Sequence, residues 1–226
     1  MLAFRSMILV AIDTSTEQGS IAIARDGVTL AVEASQGGSH TVWLLAALDR
    51  LLRDVGLGRD NIDGFGVVVG PGSFTGLRIG IAMTKGLAAA SGKACAPVVS
   101  LDAIAAAIAA AMGSAMKGDC TGRILAPVID ARKGEVYFAL YKVEKSGLRR
   151  LREPAPASPQ EFLAASAGAI VGGNGTRLPV IADHPGIEIV ALPPVAQQAA
   201  AIAFSIFSAG HQVPPEELEP IYLRIP

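Results

Sequence analysis

The apolar and polar positions of this chain fall into two successive runs of the same kind. Residues 7–12 form a continuous apolar run that stops at Asp13, the pattern of a buried strand ending in a carboxylate. A polar turn over residues 14–19 leads to a second strand at 20–24, and Asp26-Gly27 predicts a tight hairpin into a third at 28–34. Ser39 is placed to cap a helix reaching about Val55, with Leu44, Leu48, Leu51, Leu52 and Val55 on one stripe and Gly56 and Gly58 ending it. Residues 65–69 predict a further buried strand that opens, through Gly70-Pro71-Gly72-Ser73, into a helix to about Ala90. A strand at 94–99 and an alanine-rich helix capped by Ser100, reaching about Met112, complete the first run.

The second run repeats the order. Residues 123–129 predict an apolar strand ending at Asp130, residues 135–143 alternate as a strand, and Ser146-Gly147 turns the chain into a short strand at 148–153. Ser158-Pro159-Gln160-Glu161 combines an N-cap, a proline at the first helical position and a capping-box glutamate. A strand at 169–171 enters Gly172-Gly173-Asn174-Gly175, and a last amphipathic helix spans about 195–209. The repeated order predicts an α/β protein of two βββαβα lobes, residues 1–112 and 113–226, with a cleft between them and Asp13 and Asp130 pointing into it.

Composition narrows the function classes. The chain has 226 residues, 51% hydrophobic and only 17% charged, with a net charge of −1 that gives nucleic acid no broad basic surface. Cys95 and Cys120 lie in unrelated contexts, so neither a disulfide scaffold nor a zinc site is expected. The apolar run after the N-terminus is too short for a signal-peptide core, and no charge-free stretch predicts a membrane span. A cytoplasmic protein is expected. His40, His184 and His211 never approach an HxxxH spacing, so no metal site and no catalytic residue is predicted from them.

Three stretches could carry chemistry. Asp13-Thr14-Ser15-Thr16 can hold a hydrated Mg²⁺ beside phosphate, or the aspartate can simply bond its own turn. Asp130 is followed by Arg132-Lys133, long cations that crowd a phosphate turn and predict a solvated hairpin tip. Gly70-Pro71-Gly72-Ser73-Phe74-Thr75-Gly76-Leu77-Arg78 opens a helix after a buried strand and would offer free backbone N–H groups to an anion. It is not a Walker A loop, because no Lys-Ser/Thr follows the glycines. Within the helix, Gly76, Gly80, Thr84 and Ala88 recur every fourth residue, so another element packs close, inside the fold or across an interface. The Trp43 helix carries Leu45, Ala46 and Ala47 besides its core stripe, which leaves two readings: enclosure by its own domain, or a partner subunit.

Residues 8–16, the Ser39-His40 helix start, residues 70–80 and Pro220-Ile221-Tyr222-Leu223-Arg224 together resemble the TsaB (YeaZ) family, a glycoprotease-like branch of the actin-like (ASKHA, ribonuclease H-like) superfamily. The resemblance implies a duplicated actin-like fold and a role in forming threonylcarbamoyladenosine at position 37 of tRNAs that read ANN codons. It further implies a non-catalytic subunit supporting a TsaD-like transferase together with a TsaE-like ATPase, a homodimer when alone, and tRNA contact only through the complex. The TsaD family carries a metal-binding HxxxH that this chain lacks. No resident cofactor is implied beyond weak ATP or ADP with Mg²⁺, in a degenerate phosphate cleft of Asp13, Thr14, Ser15, Asp130, Gly172 and Gly173. Partner pairing would run through Trp43, Ala47 and Arg50 of one helix, and through Gly72, Ser73, Phe74, Gly76, Arg78, Ile79, Gly80 and Met83 of the next. The competing readings are an ATP-dependent small-molecule kinase using Asp13 and Asp130, and a peptidase using Ser73 or a metal site.

Overall fold

A strand whose every residue is apolar must be covered on both faces, and the computed structural model, which describes residues 6–35, 40–115 and 120–224, shows how this is done. Strand β1 (Ile8–Asp13) is buried throughout and turns into β2 (Ser20–Arg25). Asp26 and Gly27 then both take positive φ to form the hairpin into β3 (Val28–Ala34). Helix α1 (His40–Asp54), β4 (Gly64–Gly70), helix α2 (Phe74–Ser91) and β5 (Cys95–Val99) follow. The proposed Ser39 cap lies outside the described residues. The sheet order is β3-β2-β1-β4-β5, with β1 antiparallel to β2 and parallel to β4.

Helix α3 (Ser100–Ala115) leads into β6 (Ile124–Arg132), β7 (Glu135–Glu144) and β8 (Gly147–Ala157), then helix α4 (Pro159–Ala165) and β9 (Ile170–Gly172). A short helix α5 (Pro179–Ala182) and strand β10 (Glu188–Ile189) precede helix α6 (Ala196–Ser208). The second sheet runs β10-β9-β6-β7-β8, with a central parallel pair and an antiparallel meander as in the first. The duplicated βββαβα order expected from the sequence is therefore present. Strand β6 continues past Asp130 to Arg132, and β8 runs on through Pro154 and Pro156, which an edge strand tolerates because its outer N–H groups need no ladder partner.

The division into lobes differs from the sequence boundary at residue 112. One compact unit comprises residues 1–99 and 194–220; the other comprises 100–193 and 221–226. Each half of the chain thus contributes its last helix to the other unit. In the first unit, Val10, Ile12, Ile21, Ile23, Phe65 and Val67 meet α1 and α2, and the opposite sheet face takes α6. Helix α6 approaches closely because its inner row is Ala196, Ala199, Ala200 and Ala203 and because Gly64 and Gly66 leave room beneath Phe207 and Ala203. Residue 213 extends the β5 edge through paired backbone bonds with Cys95, and Leu218 enters the same core. In the second unit Val128, Val136 and Phe138 pack on Phe162 and Leu163 of α4, with Phe138 and Phe162 edge to face at 5.3 Å, while α3 covers the other face.

Candidate functional site

Two of the motifs turn out to be halves of one joint. Thr14 Oγ1 donates a 2.7 Å hydrogen bond to the carbonyl of Gly76 in the first turn of α2, and Ser73 N donates to the carbonyl of Ser15 at 2.7 Å. Asp13, Thr14 and Ser15 are all buried. A Cβ on Gly72, Gly76 or Gly80 would lie far inside contact with Ser15 O, Thr14 O and Thr14 Oγ1 respectively. The glycine motif is therefore a groove that accepts the Asp13–Ser15 segment, and the cost of about 1 kcal/mol per helical glycine is offset by that close packing. The row of Gly76, Gly80, Thr84 and Ala88 faces inward along its whole length, so the small-residue row is satisfied within the unit.

This geometry narrows the anion-loop expectation. The N–H of Ser73 goes to Ser15 O, and that of Gly76 goes to Ser73 Oγ at 3.2 Å, so the loop's donors at these positions serve the protein itself. Ser73 is the N-cap of α2. Asp13 accepts from Ser15 N at 2.9 Å, the local turn bond, and Asp130 accepts from Arg132 N at 2.8 Å in the same i to i+2 pattern. The paired aspartates thus mark the duplication at residue level. Asp130 N also donates to Asn174 Oδ1, and Arg132 and Lys133 turn the hairpin with positive φ. Gly172 packs on Ile108 and Leu192, and Gly173, with φ of 117°, on the carbonyl of Val128. These second-unit glycines are spent on packing as well. Among the described residues, no three His, Cys, Asp or Glu side chains are grouped to hold a metal ion.

The outer faces of α1 and α2 are different in kind. Val42 is 78% exposed, Leu45 46% and Phe74 37%, while Trp43, Ile79 and Met83 are half-buried. Ala47 is fully buried beneath α1, and Gly76 and Gly80 beneath α2, so these three cannot themselves touch a partner. For α1, enclosure by its own domain is ruled out by exposed Val42, Leu45 and Ala46. Arg78 stacks over the Phe74 ring at 3.7 Å, a preformed cation–π pair on the same face. Sequence reasoning missed Glu33, whose carboxylate accepts from Trp43 Nε1 at 2.7 Å and from Arg50 Nη2 at 2.6 Å. The Arg50 bonds hold the Glu33 carboxyl below the ordinary range, and Trp43 adds to the effect. A lone glutamate on an edge strand gave no signal; its partners lie on the next element.

The family described as "TsaD: tRNA N6-adenosine threonylcarbamoyltransferase" matches residues 32–205. The chain is 33% identical to the tRNA threonylcarbamoyladenosine biosynthesis protein TsaB of Escherichia coli over 96% of its own length and 95% of the relative's. The Bacillus subtilis protein of the same name is 33% identical over 63% of this chain and 58% of that one. The solved structure of YeaZ from Pseudomonas aeruginosa superposes with a TM-score of 0.78 at 27% identity, covering 96% of this chain and 100% of that one. A likeness that runs from end to end and spans both units makes this chain a member of the TsaB (YeaZ) family.

Proposed function

We propose that this chain is the non-catalytic subunit of the machinery that forms threonylcarbamoyladenosine at position 37 of tRNAs reading ANN codons. It acts in the cytoplasm, bound to a TsaD-like transferase subunit, with a TsaE-like ATPase joining the assembly and tRNA met through the complex. The observation that carries the reading is the end-to-end likeness to TsaB. The exposed apolar side chains on the outer faces of α1 and α2, Val42, Leu45 and Phe74, support the docking part, because a partner helix would cover them. The TsaD family description covers most of this chain, so the two subunits share these elements. A face that pairs two copies of this chain is then suited to pair it with a homologue about a pseudo-two-fold axis. The homodimer is the state expected of the chain alone.

The kinase and peptidase readings gain nothing from the geometry. Asp13 and Asp130 each bond their own turn, and the Ser73 hydroxyl caps α2. Light scattering after size exclusion tests the proposal, on the chain alone and mixed with the TsaD-like protein of the same organism. A one-to-one complex that replaces a self-associated form, and that Leu45→Glu abolishes without unfolding the chain, is expected. Absence of a complex under every nucleotide condition would reduce the family inference to fold.

A further inference from the structure

Helix α2 carries two rows of residues, each at intervals of four and about half a turn apart: Gly76, Gly80, Thr84 and Ala88 inward, and Phe74, Arg78, Ala82 and Gly86 outward. Whatever sets the depth of the inner row sets the position of the outer one. At the first two turns that depth is set by the backbone of Thr14 and Ser15 together with one side chain that reaches both turns. Thr14 Oγ1 donates to Gly76 O and stands against Gly80, with no room for even a methyl group at residue 80.

We infer that Thr14 is a positioning residue for the partner-docking face: by seating Gly76 and Gly80 it fixes where Phe74 and Arg78 stand. This rests on the docking reading above and adds to it a residue that never meets the partner, being wholly buried. The motif that looks like a phosphate turn is, on this account, the seat of the docking helix.

The geometry supplies a rescue test. Gly80→Ala brings a methyl into Thr14 Oγ1, but the next nearest atom, Thr14 Cβ, lies at 3.5 Å, ordinary contact. In full-length protein, calorimetric titration with the TsaD-like subunit should show Gly80→Ala weakening binding by about tenfold, within the range that touching residues couple. Thr14→Ala alone should weaken it by roughly threefold, as expected for a lost hydrogen bond acting at one remove. Adding Gly80→Ala to Thr14→Ala should then cost nothing further. Thr14→Ser, which keeps the hydroxyl, should bind as the wild type does. Ala88→Gly supplies the control: it loosens the far end of α2, lowers Tm, and should leave the affinity unchanged.

Equal damage by Gly80→Ala in the wild-type and Thr14→Ala backgrounds would overturn the inference, as would affinities that simply track Tm, Ala88→Gly included. If Gly80→Ala fails to fold, the comparison of Thr14→Ala with Thr14→Ser decides, and equal affinities there overturn it. A wild-type chain that binds no TsaD-like subunit would defeat the docking reading, and this inference with it, before any variant is compared.

Discussion

At the scale of single residues, charge is used to fasten α1 to the edge of its sheet. Glu33 accepts from Trp43 and Arg50 together, and its pKa is lowered chiefly by the Arg50 hydrogen bonds. A group whose folded pKa is depressed stabilises the fold at pH values above its unfolded pKa, and that contribution is lost as pH falls through the folded value. Glu33→Gln should therefore lower Tm at pH 7, and the gap from wild type should close as both proteins are taken below about pH 4, the ordinary glutamate range. The gap should also shrink in high salt, because Arg50 is exposed. Thermal unfolding of both proteins from pH 7 to pH 3 checks this, and a gap independent of pH would assign the loss to shape alone. Such long-range triads were not legible in the sequence, which shows Glu33, Trp43 and Arg50 only as separate polar or aromatic positions. The glycines were legible as close packing. What they pack against was not, because Thr14 and Gly80 lie far apart along the chain and meet only once β1 pairs with β4.

At the scale of elements, capping and periodicity foretold most helices and strands to within a few residues. The Ser158 cap with its Glu161 box and the hairpin at Asp26-Gly27 are built as the sequence predicts. The short α5 and β10 escaped because two to four residues carry no measurable period. Asp130 looks like a stop for β6 in the sequence, whereas its turn bond is compatible with the strand continuing to Arg132. Helix α3 shows how an alanine-rich helix with little shape of its own is held. Asp102, in its first turn, accepts from Tyr141 Oη on β7 and from Arg150 Nη2 on β8. Burial first, and then Asp102, push the Tyr141 hydroxyl far above its ordinary pKa, so it stays a donor. Asp102→Ala should cost about 2 kcal/mol because it leaves the Tyr141 hydroxyl without its acceptor and Arg150 with Glu153 alone. Tyr141→Phe should cost about 1 kcal/mol, since Asp102 keeps the Arg150 bonds. Urea unfolding of the two variants gives the comparison, and equal losses would show that Arg150 adds nothing to the clamp.

At the scale of the whole molecule, the exchange of helices between the halves decides what can fold alone. The sequence suggested a boundary at residue 112 because α3 follows β5 without a break, and proximity along the chain is all that a single sequence offers. Packing assigns otherwise, with α3 on the second sheet and α6 on the first. A chain of residues 1–112 would leave the sheet face under Ala196, Ala199, Ala200 and Ala203 open to water and would carry α3 with nothing to cover it. It should aggregate or unfold without a cooperative transition. Residues 1–99 joined by a flexible linker to residues 194–220 restore α6, the Val213 pairing and Leu218, and should unfold cooperatively. Because α1, α2 and Thr14 all lie in this unit, the joined piece should also retain binding to the TsaD-like subunit. Calorimetry of the two pieces, followed by titration of whichever folds, tests both expectations. Cooperative folding of residues 1–112 would refute the helix exchange. A joined piece that folds but binds nothing would move the docking face off this unit, and the exposed Val42, Leu45 and Phe74 would then need another cause.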